Sequence, residues 1–181
     1  MGLEGADLVI VAAQQRNQWA MAAKKEIARP QDLAGKRIAT HSETSITTTF
    51  IKWAAKKYGF ENNYQMLIIP GSGPRMQALI ANQIDASPLL LEDTVKLLQQ
   101  QGDKFHIVIN FAQELPALPD NVVVVKRSWA QQNRSTVEAV LAGIMRTYKK
   151  VNSDPNWAKS QAPAYFSGTS PDVIGGWWTP T

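Results

Sequence analysis

The segment from Gln31 to Gly59 constrains the fold most, because it predicts a strand, a loop and a helix in direct succession. Its strand is the short β-competent run 36–40 (KRIAT), which is entered through a turn at Gly35. Apolar residues at helical spacing follow, and they stop at Gly59, a residue suited to end a helix. Six hydroxyl side chains lie between the strand and the body of the helix: Ser42, Thr44, Ser45, Thr47, Thr48 and Thr49.

This hydroxyl-rich loop, Ser42–Thr49, is the strongest candidate ligand site in the sequence. A helix N-terminus presents backbone N–H groups that lack intrahelical partners, and neighbouring hydroxyls add further donors for a polar or anionic ligand. One Ser or Thr is enough to cap a helix, so capping alone does not account for the whole cluster. We therefore favour a ligand site over a simple cap. Glu43 argues against an anion lying beside it, because their charges repel.

A second, weaker candidate follows the next predicted strand, residues 64–69. The turn 71–74 (GSGP) leads into a short predicted helix, with Pro74 expected at its first position. Two interpretations stay open: a small anion-binding nest with Arg75 as counter-charge, and a tight turn with a solvent-exposed Arg75. The segment matches neither a P-loop nor a G-x-G-x-x-G fingerprint, so it is weak as a motif.

Catalytic and metal sites are not indicated. His41 adjoins Ser42, and Asp85 could lie nearby, but the G-x-S-x-G elbow of a hydrolase is absent. The chain has no cysteine and only two histidines, which excludes disulfides, thiolate nucleophiles and Cys-based zinc or iron centres. We therefore expect no catalytic residue, no metal and no cofactor.

The charge distribution argues against a nucleic-acid partner. The 181-residue chain has a formal net charge of +4, but its basic residues occur as isolated pairs such as Lys24-Lys25. We expect solvated helix faces and a mild positive field that favours anionic small molecules. The apolar run Leu8–Ala13 is too short to span a membrane, and the N-terminus does not resemble a signal peptide. Because the chain opens abruptly, we expect the natural protein to have further chain before Met1.

The rest of the chain predicts an α/β fold, with βαβ alternation in the middle and helices at the end. The β-branched run 7–13 is typical of a buried strand in a parallel sheet, and Gln18–Lys25 fits either a strand or a helix. The segment 135–138 (STVE) matches a capping box and predicts a helix with a buried apolar stripe. The other predicted elements are strands 84–86, 105–111 and 122–125, a helix over 92–101, a linker over 114–120, and helix starts at 153–155 and 170–172.

Two segments in this order resemble one protein family. Residues 32–40 (DLAGKRIAT) are similar to the strand that begins the second lobe of the extracytoplasmic solute-binding proteins of ABC importers for nitrate, alkanesulfonates and taurine. Residues 78–86 (ALIANQIDA) are similar to a later family segment, in which Gln83 is expected to replace the usual glycine. The strand 122–125, Arg127 and the helix from Ser135 resemble the family's return into the first lobe. The chain is identified as a member of this family, which also resembles the thiamin-pyrimidine-precursor proteins.

The resemblance implies a periplasmic-binding-protein-like fold of type II, with one complete βαβ lobe and an incomplete second lobe. By the family pattern, residues 1–29 hold part of lobe one and the first crossover. Residues 30–112 form lobe two, and residues 113–181 hold the second crossover and the C-terminal helices of lobe one. Family members carry a further βα portion of lobe one ahead of the position of Met1. We therefore expect exposed apolar surface and self-association.

The resemblance also implies a small solute held between the lobes by hinge closure. Contacts are expected from the helix start, from the turn that precedes the second predicted helix, from the segment 87–92 and from lobe one. The ten expected contacts are Ser42, Thr44, Ser45, Thr47, Gly71, Ser72, Arg75, Glu92, Gln14 and Arg16.

The sequence therefore predicts the substrate-binding component of an ABC transporter, located in the periplasm or otherwise outside the cytoplasm. It would capture a small anionic or polar organic solute of the nitrate, sulfonate and taurine class for a membrane permease. A ligand-sensing domain of a regulator or receptor on the same fold stays open as an alternative. A pyrimidine-precursor biosynthetic enzyme is less favoured, because such enzymes use a cysteine-rich segment that this chain lacks.

Overall fold

The computed structural model describes residues 5–165, and only the backbone of residues 162 and 165. The chain divides into two compact units: unit 1 comprises Met1–Arg16 and Pro119–Thr181, and unit 2 comprises Asn17–Leu118. A 3-10 turn at Pro30–Leu33 precedes β3. The strands and helices in chain order are β1 (Leu8–Arg16), β2 (Trp19–Lys24), β3 (Arg37–Thr40), α1 (Ile46–Tyr58), β4 (Gln65–Ile68), α2 (Ser72–Ile80), β5 (Ala86–Leu90), α3 (Leu91–Gln101), β6 (Phe105–Asn110), α4 (Phe111–Glu114), β7 (Pro119–Lys126), α5 (Arg127–Gln132), α6 (Arg134–Ser153) and α7 (Pro155–Tyr165).

Unit 2 is built on a five-stranded mixed sheet with the strand order β4-β3-β5-β2-β6. β3 runs parallel to β4 and β5, whereas β2 is antiparallel to β5 and β6. The segment Gln18–Lys25, which fitted either a strand or a helix, therefore forms the strand β2. The expected lobe boundaries at residues 29/30 and 112/113 differ from the bounds of unit 2, because β2 lies between β5 and β6 in its sheet.

The sheet of unit 2 separates two hydrophobic cores, because successive strand residues face opposite sides. Ile38 packs in the first core with α1, and its neighbour Ala39 packs in the second core with α2 and α3. In the first core Phe50 of α1 stacks on Phe111 at 4.4 Å between ring centroids. The helices therefore cover both faces of the sheet, as expected for an α/β fold.

A charged cluster ties β2, β3 and β5 together at the amino end of β3. The Asp85 carboxylate accepts hydrogen bonds from Lys24 Nζ at 2.6 Å and from the main chain and guanidinium of Arg37 at 2.9–3.0 Å. The hydrogen bonds from Arg37 and Lys24 hold the pKa of Asp85 well below its usual range. The neighbouring Asn82 has a left-handed φ of 59°. Asn82 therefore occupies a left-handed position of the kind that glycine favours. The expectation that Gln83 replaces the family's usual glycine is wrong, because Asn82 holds that position.

In unit 1, β1 and β7 form a two-stranded antiparallel sheet. None of its described residues, 5–16 and 119–165, is buried. The expectation of a buried parallel strand over residues 7–13 is therefore wrong. Continuous β-branched runs fit both arrangements, and β1 pairs only with β7 within the described residues.

The helices of unit 1 differ from their predicted starts and faces. α6 begins at Arg134, whose guanidinium pairs with Glu138 at 2.8 Å, and its N-cap has no side-chain hydrogen bond. The predicted capping box is therefore wrong, because Glu138 is engaged by Arg134 one turn earlier. The expected buried stripe is also wrong, since Val140, Met145 and Tyr148 are exposed.

The start of α7 is confirmed: the Asp154 carboxylate accepts a hydrogen bond from Trp157 N in its first turn. The predicted helix start at residues 170–172 lies outside the described residues. Among residues 5–165, no helix combines the length and apolar character that crossing a bilayer requires.

Candidate functional site

The loops after β3, β4 and β5 meet at one edge of the unit 2 sheet. These three strands are parallel, so their carboxyl ends lie together. Ile69 N donates to Thr40 O at 2.8 Å, which continues the pairing of β3 and β4 into the loops. Leu90 N at the end of β5 donates to Ser72 Oγ at 3.0 Å, which joins β5 to the start of α2. Open α/β sheets place their ligands at such an edge.

A cluster of hydroxyls builds the loop after β3. Thr40 Oγ1, at the end of the strand, lies 2.7 Å from Thr47 Oγ1 and 2.6 Å from Thr48 Oγ1. Ser45 Oγ joins the cluster at 2.8 Å from Thr47 Oγ1. Thr40, Thr47 and Thr48 are buried, so their hydroxyls hold the loop against the strand. Part of the hydroxyl-rich sequence therefore has a structural role, and Thr40 belongs to it although the sequence analysis did not single it out.

The N-terminus of α1 has no side-chain cap. Ser45 occupies the N-cap position, but its hydroxyl donates to Ser42 O at 2.9 Å and makes no cap hydrogen bond. The alternative of simple capping by one hydroxyl of this loop is therefore wrong. The backbone N–H groups of the first turn point out of the helix without an intrahelical acceptor. Ser42 and Ser45 are half-buried beside them, and Thr44 is exposed.

His41 joins the loop after β3 to the loop after β4. Its Nδ1 accepts a hydrogen bond from Gly71 N at 3.0 Å. Gly71 is the N-cap of α2 and has a left-handed φ of 91°. A Cβ at this position would lie 3.0 Å from Pro74 Cδ, so the turn requires glycine. Pro74 is the third residue of α2 and not the first, a position that also lacks an intrahelical acceptor for its nitrogen.

Of the two interpretations left open for Arg75, the solvent-exposed one is wrong, because Arg75 is only 1% exposed. Its guanidinium donates to Ser87 Oγ at 3.0 Å, to Pro88 O at 3.1 Å and to Ile69 O at 3.2 Å. Burial lowers the pKa of Arg75 to about 10, and the charge of Asp93 acts in the opposite direction. The guanidinium is therefore charged at neutral pH and lies directly behind the loops after β4 and β5.

The ten expected contacts fall into two groups. Ser42, Thr44, Ser45, Thr47, Gly71, Ser72, Arg75 and Glu92 lie in unit 2, at the carboxyl edge of the parallel strands. Gln14 and Arg16 lie on β1 of unit 1. Within that unit Gln14 borders an open cavity of about 400 Å³, together with Ile144, Thr147, Tyr148 and Val151. Arg16 is exposed.

The geometry does not form a catalytic group from His41, Ser42 and Asp85. The Asp85 carboxylate is engaged by Lys24 and Arg37 at the opposite end of β3. Within residues 5–165, no group of three or more His, Asp or Glu side chains is arranged to hold a metal ion.

Several solved structures of similar fold are named as binding proteins. The periplasmic aliphatic sulphonate binding protein of Escherichia coli has a TM-score of 0.80 at 17% identity, over 98% of this chain and 61% of that chain. The alkanesulfonate-binding protein of Xanthomonas axonopodis pv. citri, bound to MOPS, has a TM-score of 0.73 at 21% identity, over 96% and 59%. The periplasmic nitrate-binding protein of Synechocystis PCC 6803 has a TM-score of 0.71 at 10% identity, over 92% and 47%.

These comparisons confirm the predicted fold class, an α/β periplasmic-binding-protein-like architecture with an incomplete second lobe. The chain spans 61% and 59% of the two sulfonate-binding chains. All three proteins are named as binding proteins. No curated protein sequence matches the chain. A family profile described as NMT1/THI5 like matches residues 3–158, and the chain therefore belongs to the NMT1/THI5-like family.

Proposed function

We propose that this chain binds a small anionic or polar organic solute at the N-terminus of α1, as part of the solute-binding component of an ABC importer. The observation that carries the proposal is the uncapped start of α1, with the Ser45 hydroxyl turned toward Ser42 O. The unpartnered amides and the positive end of the helix dipole favour a negatively charged or strongly polar group.

The loops after β4 and β5 support the same location for the bound solute. Gly71 and Ser72 are fixed beside the first loop by hydrogen bonds to His41 Nδ1 and Leu90 N. Behind them the buried Arg75 contributes a positive charge whose hydrogen bonds go to protein oxygens. A buried cation stabilises an anion at the loop edge without contacting it, because the low-dielectric interior screens its field weakly. Glu43 and Glu92 act in the opposite direction and favour a single negative charge or a zwitterion over a multiply charged anion.

The substrate class, partners and location of the whole protein are part of this proposal. The fold is shared with proteins named for aliphatic sulphonates, alkanesulfonates and nitrate, which supports the nitrate, sulfonate and taurine class as the first to test. The corresponding partner is the membrane permease of an importer, and the corresponding location is outside the cytoplasm. Gln14 and Arg16 remain proposed contacts from unit 1.

A thermal-shift screen against nitrate, methanesulfonate, taurine and bicarbonate tests the proposal. A ligand present at about a hundred times its dissociation constant adds about 2.7 kcal/mol to the stability of the protein that binds it. We expect a shift with at least one monoanion or zwitterion of this set. The absence of a shift with every member would contradict the proposed class.

Thr44→Val then tests the site. Thr44 is exposed, and its hydroxyl has no hydrogen-bond partner among the described residues, so its loss leaves the fold intact. We expect the affinity to fall by about tenfold, the loss of one hydrogen bond to a charged group. Thr136→Val is the matched control, since Thr136 is an exposed threonine in the first turn of α6. Equal affinities of the two variants would place the ligand elsewhere.

A further inference from the structure

The only side-chain hydrogen bond among the described residues that joins the loop after β3 to the loop after β4 comes from His41. Its Nδ1 accepts the Gly71 N–H at 3.0 Å. A main-chain bond from Ile69 N to Thr40 O lies one step closer to the sheet. His41 therefore continues the pairing of the two strands to the point where the loops separate.

This hydrogen bond determines the state of the imidazole. Because the Gly71 amide is a donor, Nδ1 must carry a lone pair, and the ring is neutral with its proton on Nε2. A protonated imidazole has N–H groups at both nitrogens and offers no acceptor.

The amide that His41 holds lies at the start of α2. Gly71 is the N-cap residue with a φ of 91°, and a Cβ there would lie 3.0 Å from Pro74 Cδ. The next residue, Ser72, accepts a hydrogen bond from Leu90 N at the end of β5. A movement of Gly71 would therefore be transmitted both to the first turn of α2 and to the loop after β5.

We propose that His41 is a positioning residue: its imidazole accepts the Gly71 amide and holds the start of α2 beside the hydroxyl-rich loop. The inference deepens the proposed function and rests on it for its effect on solute binding. The charged residues on the three joined segments are Glu43 after β3, Arg75 on α2, and Glu92 and Asp93 at the start of α3. His41 itself is exposed.

Two substitutions of His41 test separately its hydrogen-bond acceptor and its aromatic ring. Asn places a side-chain oxygen near the position of Nδ1 and does not titrate, so His41→Asn is expected to keep the hydrogen bond. Phe keeps a planar ring without an acceptor, so His41→Phe is expected to lose it. His106, the second histidine of the chain, is unchanged in both variants. Any difference between the two variants is therefore caused by the side chain at position 41.

The first measurement needs no ligand. Amide exchange of Gly71 is followed by NMR at about pH 8, and each rate is divided by the intrinsic rate. We expect His41→Phe to raise the normalised rate by about tenfold, the loss of one hydrogen bond, and His41→Asn to leave it near the wild-type value. Equal rates in the wild type and His41→Phe, or equal increases in both variants, would overturn the proposal.

The second measurement uses the solute from the screen that gives the largest thermal shift. We expect His41→Phe to weaken its binding by about fivefold to tenfold at about pH 8. His41→Asn should keep the affinity near the wild-type value. Equal affinities of the wild type and His41→Phe would overturn the effect on binding. If no solute binds the wild type, the proposed function fails, and the exchange rates still decide whether His41 positions α2.

Discussion

Replacing Asp85 with asparagine should destabilise unit 2 strongly, although the two side chains have nearly the same size. The carboxylate accepts four hydrogen bonds, one from Lys24 Nζ and three from Arg37. An amide keeps one oxygen and turns an NH₂ group toward the remaining donors. The backbone bonds Asp85 N to Arg37 O and Lys24 N to Asp85 O survive the change. The loss is therefore confined to the charged cluster.

The magnitude follows from the lost hydrogen bonds. A net hydrogen bond to a charged group contributes about 1.5–3 kcal/mol, and at most two of the four can be retained. The Asp85 side chain is 14% exposed, but the Arg37 side chain is 37% exposed. Solvent therefore screens the attraction between Arg37 and Asp85 and reduces its contribution to stability. We expect Asp85→Asn to lower the free energy of unfolding by about 2–4 kcal/mol, which lowers the urea midpoint by about 1–2 M.

The assay is urea denaturation followed through the NMR amide signals of β3 and β5, which report on unit 2. Asp103→Asn is the matched control, because Asp103 is an exposed carboxylate of the same unit, and we expect a change within about 0.5 kcal/mol. A change in Asp85→Asn no larger than in the control would refute the reasoning.

Acidification provides a second check on Asp85, because its pKa in the folded chain lies below that of the unfolded chain. The stabilising contribution is fully present above the unfolded value of about 3.9 and is lost as the pH falls toward the folded value. The stability difference between wild type and Asp85→Asn should therefore shrink below about pH 4. A difference that stays constant between about pH 6 and 3 would show that the carboxylate charge is not its cause.

Two further substitutions test the core and the turn before α2. Phe50→Ala should cost about 3–5 kcal/mol in the same urea assay, because Phe50 is 1% exposed and stacks on Phe111 at 4.4 Å; a loss below about 1 kcal/mol would contradict this packing. Gly71→Ala should cost about 1–3 kcal/mol, since φ is 91° and the new Cβ would lie 3.0 Å from Pro74 Cδ. Gly73→Ala is its control, because a Cβ there meets no atom within 4 Å, and equal losses would exclude strain at Gly71 as the cause.

Local signals in the sequence predicted the elements of unit 2 well. The helix after the first strand ends at Gly59, which has the left-handed φ of 76° that its position required. The pattern of residues 36–40 predicted a strand, and β3 spans Arg37–Thr40. These features depend on neighbouring residues only, so one sequence is enough to predict them.

Features that depend on distant residues were not predictable in this way. Arg75 was expected at the surface as an alternative, yet it is buried, because Ser87, Pro88 and Ile69 supply acceptors from other parts of the chain. Nothing near residue 41 in the sequence indicates that Gly71 donates to His41. The capping box at residues 135–138 failed because Arg134, outside the motif, extends the helix and engages Glu138.

The hydroxyl cluster also changes which substitutions test the site cleanly. Removing the hydroxyls of Ser45 and Thr47 together would disrupt the contacts with Thr40 and His41 N as well as any ligand contact. A backbone donor at the start of α1 is the better target. Ile46 is the first residue of α1, and its side chain is 41% exposed.

The central claim is that the backbone amides at the start of α1 bind the solute, and Ile46→Pro tests it most directly. Proline is tolerated at the first helical position, and the preceding Ser45 has the extended conformation (φ −76°, ψ 164°) that proline requires of its neighbour. The substitution therefore removes one N–H group and leaves the helix in place. Ile46→Ala is the control, because it removes the same side chain and keeps the amide.

The measurement is calorimetric titration of both variants with the solute that stabilises the wild type most. We expect Ile46→Pro to bind at least about tenfold more weakly than Ile46→Ala, and Ile46→Ala to remain within about twofold of the wild type. Equal affinities of Ile46→Pro and Ile46→Ala would contradict binding of the solute by the amides at the start of α1.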